Sequence, residues 1–86
     1  MSNKHYLKIW PEFFQPVWDD LKLFELRHDD RGYRAGDILI LQEWSKDRGY
    51  TGREIRVHVV YILSGLGLQK DWVVMSFEIL TKNHEL

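Results

Sequence analysis

Leu7 and Ile9 alternate with Lys8 and Trp10 up to Pro11, the two-residue period of a half-buried strand. Phe13, Phe14, Val17, Trp18 and Leu21 then fall on one stripe of a short helix that Pro11 is suited to open, with Glu12, Gln15, Asp19 and Asp20 on the opposite face. Pro16 lacks an N–H and clashes with the preceding turn, so this helix is expected either to kink there or to start near Gln15. Phe24 and Leu26 alternate with Glu25 and Arg27 in a second strand whose two faces differ sharply in polarity, and the apolar pair is expected to face the core. A polar stretch from His28 to Gly36 follows, with Asp37 placed to accept a backbone hydrogen bond in a turn. Ile38 to Trp44 reads as a third strand, Ser45 to Gly52 as a loop, and the alternation of Ile55, Val57, Val59 and Tyr61 as the returning strand of a hairpin. After a loop from Ser64 to Asp71, Trp72 to Leu80 forms the last strand with Val73, Met75, Phe77 and Ile79 on one face, and the tail from Thr81 is expected to fray.

One strand, one helix and four more strands make a mainly β (α+β) domain, and such short strands close most economically as a small barrel of about five strands. Leu7, Ile9, Phe24, Leu26, Leu39, Leu41, Val57, Val59, Met75 and Phe77 carry the apolar faces and are the expected core. With 86 residues the chain has apolar side chains for one core only, so residues 1–86 are assigned to one domain. A domain this small hides only about 60% of its unfolded surface. Its four Trp, four Tyr and four Phe meet the resulting need for large buried side chains.

The chain has no cysteine, which removes disulfides, thiolate metal sites and a cysteine nucleophile and fits a cytoplasmic setting. His5, His28, His58 and His84 lack metal-ligand spacing, and no cofactor motif is present, so neither metal nor cofactor is expected. Ser64-Gly65-Leu66-Gly67 lacks the Lys and Ser or Thr of a phosphate-cradling loop and reads as a turn. The longest nearly apolar run, Val57 to Leu63, is interrupted by His58 and falls far short of the roughly 20 residues of a membrane helix. Twelve Lys and Arg against thirteen Asp and Glu give a net charge of −1, so any nucleic-acid binding must come from a local patch.

The segment Lys22-Leu23-Phe24-Glu25-Leu26-Arg27 resembles the signature of the ASCH family, in which a glycine is followed at fixed spacing by Lys, Glu and Arg after the first helix. Asp20 stands where that glycine would be. The strand before Pro11, Gly36-Asp37 opening a hydrophobic strand, and Tyr50-Thr51-Gly52-Arg53 leading into the next extend the resemblance over most of the chain. It is similar especially to a compact phage and bacterial branch of unassigned function. The resemblance implies a PUA-like β-barrel with a cleft beside the helix, and RNA or a nucleotide as the partner. Some family members resemble amidohydrolases that remove an acyl group from a modified cytidine with a Lys, Thr and Glu set. Lys22 matches that lysine, whereas Glu25 stands at the threonine position.

Glu25 and Arg27 are two apart on a strand and share a face, which by spacing alone also describes an ordinary surface ion pair. Arg31, Tyr33, Arg34, Tyr50, Arg53 and Arg56 mix cations and aromatics as a phosphate-contacting, base-stacking surface requires, although Asp29, Asp30 and Asp47 dilute them and Tyr33 and Tyr50 serve equally as barrel plugs. Trp10 and Trp18 beside a small core read first as core. The expected ligand-binding set is therefore Lys22, Glu25, Arg27, Arg31, Tyr33, Tyr50 and Arg53. Three functions compete: an RNA- or nucleotide-binding module, a small amidohydrolase with Lys22 and Glu25 as its catalytic pair, and a protein-interaction domain using Leu66 and Leu68.

Overall fold

The computed structural model describes residues 3–84. Their elements run β1 (Lys4–Ile9), α1 (Pro11–Trp18), β2 (Phe24–His28), β3 (Ile38–Ser45), β4 (Gly49–Ser64) and β5 (Trp72–His84). The strands form one sheet in the order β1-β3-β4-β5-β2. Only β1 and β3 run parallel, which the crossover through α1 and β2 permits, and the other three pairings are antiparallel. The sheet curls into a half-barrel around Leu7, Leu39, Leu41, Ile55, Val57, Val59, Met75 and Phe77, and Phe14 and Val17 of α1 are buried in the same cluster. The mainly β class with a single short helix is the one read from the sequence.

The curl brings the edge strands β1 and β2 toward each other without a backbone ladder between them among the described residues. Two arginine side chains bridge the seam instead. Arg27 Nη2 donates to the Lys8 carbonyl at 2.6 Å, and Arg31 Nη1 donates to the Tyr6 carbonyl at 3.0 Å. Guanidinium groups suit this task, since they present several donors and reach farther than a backbone N–H.

The helix keeps Pro11 at its start and admits Pro16 only two residues before its end, where little helix is left to disrupt. It stops through a C-terminal motif in which the Asp20 N–H donates to the Val17 carbonyl and the Leu21 N–H to the Pro16 carbonyl. Asp20 sits at φ 62°, the left-handed conformation that a glycine takes at no cost. The tight turn expected of the family pattern is thus made with an aspartate. Leu21 lies beyond the helix and is exposed, and Phe13 also faces outward.

Three expectations are corrected. Phe24 and Leu26 are 43% and 48% exposed, while Glu25 between them is buried. Pairing of Glu25 with Met75 and Arg27 with Val73, both core-facing positions of β5, turns the polar side of β2 inward. The tail does not fray at Thr81, because Thr81, Lys82, Asn83 and His84 continue the ladder against Arg56, Ile55, Glu54 and Arg53. The first hairpin loop is short, since β4 already starts at Gly49 and Tyr50 pairs with Trp44.

Two buried carboxylates fasten the half-barrel. Asp37 accepts the N–H groups of Asn3 and Arg34 and lies 2.9 Å from His5 Nε2, tying the start of β1 to the start of β3. Burial pushes its pKa up, but the hydrogen bonds from His5, Asn3 and Arg34 outweigh this and hold the carboxyl below its ordinary value. Glu43 accepts from Arg53 through both oxygens at 2.9 Å and from the Thr51 hydroxyl at 2.6 Å. The bond from Arg53 is the main reason the Glu43 carboxyl also titrates below its ordinary range.

Candidate functional site

The seam between β1 and β2 opens beside α1 into a cleft of about 650 Å³. Lys8, Ile9 and Trp10 form one wall, with Phe13 from the helix. Lys22, the strand Phe24–His28, Asp30 and Trp72 form the other. The hydrogen bonds Phe77 N–H to Leu23 carbonyl and Asp29 N–H to Asp71 carbonyl direct the odd-numbered residues of β2 toward β5. Alternation then turns the backbone N–H and carbonyl groups of Phe24 and Leu26 toward the open edge, where they give the cleft wall its own donors and acceptors.

Glu25 is the centre of the charge arrangement. Its Oε2 accepts from Arg27 Nε at 2.8 Å and its Oε1 from Lys22 Nζ at 3.3 Å. The carboxylate side chain is 7% exposed, against 17% for Lys22 and 27% for Arg27. A carboxylate this enclosed requires partners, and two cations supply them. Lys22 sits at the strand entrance, outside the alternation, and the turn closed by Asp20 carries it over the Phe24 ring at 5.2 Å. The three charges converge on one cleft, where the apolar surroundings strengthen their interactions over those of solvated charges.

The remaining expected site residues lie elsewhere. Arg31 is spent on the seam and on Asp30, whose Oδ1 is 3.8 Å from its Nε. Tyr33 is buried in the core, edge-on to His5 with centroids 4.8 Å apart, so it offers no face for stacking a ligand. Among the described residues its hydroxyl has no hydrogen-bond partner, and burial raises its pKa. Arg53 is engaged by Glu43, by Gln15 at 2.7 Å and by the rings of Phe14 and Trp18, with its Cζ 5.1 and 4.8 Å from their centroids. Those partners take it away from the cleft lining, and it braces the helix against the first hairpin. Tyr50 is exposed beside Lys8, whose Nζ lies 5.8 Å from its ring.

Lys8, Phe13, Phe24 and Trp72 line the cleft without having been anticipated as site residues, and Trp10, read first as core, is 48% exposed there. Lys8 and Trp10 did carry a signal, because they are the outward partners of Leu7 and Ile9 in the first alternation. Phe24 carried the opposite one. Among the described residues no group of three or more His, Asp or Glu could hold a metal ion, and no helix is long and apolar enough to cross a membrane.

A small, curled five-stranded domain with a charged and aromatic cleft at its seam is the class of protein that fold and site define. Residues 4–77 match the family described as a domain of unknown function, DUF3850, and the chain belongs to that family. It is similar to the uncharacterized 12.9 kDa protein in the GpA 3′ region of Escherichia phage P2, with 31% identity over 75 residues, which are 87% of this chain and 68% of that protein.

Proposed function

We propose that the domain is an ASCH-type, PUA-like module that binds RNA or a nucleotide in the seam cleft. The observation that carries this reading is the convergence of Lys22, Glu25 and Arg27 on a cleft walled by Trp10, Phe13, Phe24 and Trp72. Aromatic walls take the faces of an unstacked base, Glu25 accepts from a donor on its edge, and Lys22 and Arg27 meet acceptors or phosphate. A chain without cysteine suits work in the cytoplasm. Calorimetric titration of nucleoside 5′-monophosphates and short RNAs tests the reading. Binding should weaken at least about tenfold in Arg27→Ala, the loss of one charge-assisted contact. Equal affinity in wild type and variant would remove the cleft from the function.

The amidohydrolase reading keeps one supporting observation: Lys22 Nζ stands 3.3 Å from Glu25, within reach for proton transfer, at a cleft that admits a nucleoside. It requires release of a carboxylic acid from an N-acylated cytidine by the wild-type protein and its loss in Lys22→Ala. Wild-type protein without turnover retires it.

A further inference from the structure

The aromatic surface does not stop at the cleft. Trp10, on the cleft wall, stands edge-on to Trp44 at 5.5 Å, and Trp44 is the cross-strand partner of Tyr50. Lys8 also lines the cleft, yet its Nζ lies 4.8 Å above the Trp44 ring and 5.8 Å from that of Tyr50. Among the described residues no carboxylate approaches this ammonium within 4.0 Å, unlike those of Lys22 and Lys82. Tyr50, at the end of the row, is 55% exposed.

We propose that Lys8, Trp44 and Tyr50 form a second subsite continuous with the cleft, so that the ligand is a single-stranded oligonucleotide rather than a lone nucleotide or a duplex. This rests on the nucleotide-binding reading of the cleft. One base occupies the cleft, Lys8 receives the phosphate that follows it, and the next base stacks on Tyr50. An ammonium resting on aromatic faces is held more weakly than one in a charge-assisted bond, so a phosphate oxygen can draw Lys8 off the rings and free the Tyr50 face at the same time. Stacking on two separate platforms needs bases splayed from their neighbours, which a duplex does not offer. The charges agree: Lys46 and Arg48 flank Asp47 just beyond Tyr50, leaving one net positive charge along the path.

The test compares the four nucleoside 5′-monophosphates, single-stranded trinucleotides of mixed sequence and a short hairpin duplex, in wild type and in Tyr50→Ala, by calorimetry and tryptophan fluorescence. Tyr50 is exposed, and an unchanged melting midpoint confirms that its removal leaves the fold intact. Trinucleotides are expected to bind about tenfold or more tighter than monophosphates, with that ratio collapsing toward one in Tyr50→Ala. The duplex should bind no better than a monophosphate. Monophosphates and trinucleotides of equal affinity, a ratio that survives Tyr50→Ala, or preference for the duplex would overturn the second subsite while leaving the cleft. Absence of binding by every probe would remove the cleft reading and this inference together.

Discussion

Arg27 joins the two edges of the half-barrel: its Nε is fixed by Glu25 on the same strand, and its Nη2 donates across the seam to the Lys8 carbonyl at 2.6 Å. One side chain therefore closes the sheet and forms part of the cleft. A guanidinium held at both ends is pre-organised, so less conformational freedom is lost when a ligand meets it.

Arg27→Ala should lower stability by about 1.5–3 kcal/mol, the range for a hydrogen bond to a charged group, because it also leaves Glu25 enclosed with Lys22 as its one cation. Arg27→Lys should recover only part of the loss, as an ammonium cannot donate from two rigidly spaced nitrogens to Glu25 and Lys8. Urea denaturation of the three proteins checks this, and complete rescue by lysine would show that the seam needs charge alone.

Glu25 and Arg27 should be energetically coupled. A double-mutant cycle with Glu25→Gln and Arg27→Met is expected to give more than about 0.5 kcal/mol, since the pair is mostly enclosed rather than rim-exposed. Additivity within error would reduce the pair to two solvated charges.

Acid should weaken the fold through Asp37 and Glu43. Both carboxyls titrate below their ordinary values when folded, so their stabilisation is in place above the unfolded value of about 4 and is lost as the pH falls through the folded-state values. Asp37→Asn should cost stability at neutral pH and converge with wild type as the pH falls below the unfolded carboxyl value. A constant gap between the two melting curves across that window would contradict the assignment.

Asp20 occupies a left-handed position, and its side chain pairs at the surface with Lys82, 3.1 Å away. Asp20→Gly should exceed Asp20→Ala in stability by roughly 0.5–1 kcal/mol, because alanine keeps the strained φ and glycine does not. Thermal unfolding of the two variants decides it.

The strands were legible because their apolar residues recur every second position, and Lys22, Glu25 and Arg27 stood out as charges at the spacing of a known signature. The sense of β2 was not legible. Phe24 and Leu26 form a stronger apolar pair than anything opposite them, and only the register with Met75 and Val73, together with the two cations that enclose Glu25, explains why the polar side turns inward. Thr81 to His84 look like a polar tail, yet they pair because β4 is long enough to offer them a partner. Arg53 sits in a cation- and aromatic-rich stretch, and nothing in that stretch reveals that Glu43, ten positions earlier, faces it across a hairpin. Tyr33 poses the same problem, since it lies in the connection between β2 and β3 and packs edge-on against His5 of β1.

Ligand binding in the proposed seam cleft can be followed at single residues. Amide-shift mapping during titration of the nucleoside 5′-monophosphates tests it residue by residue. Shifts should concentrate at Lys8–Trp10, Phe24–His28 and Trp72, with Lys22 and Phe13 at the margins. Shifts confined to the turn between β4 and β5, or none at any residue, would contradict it.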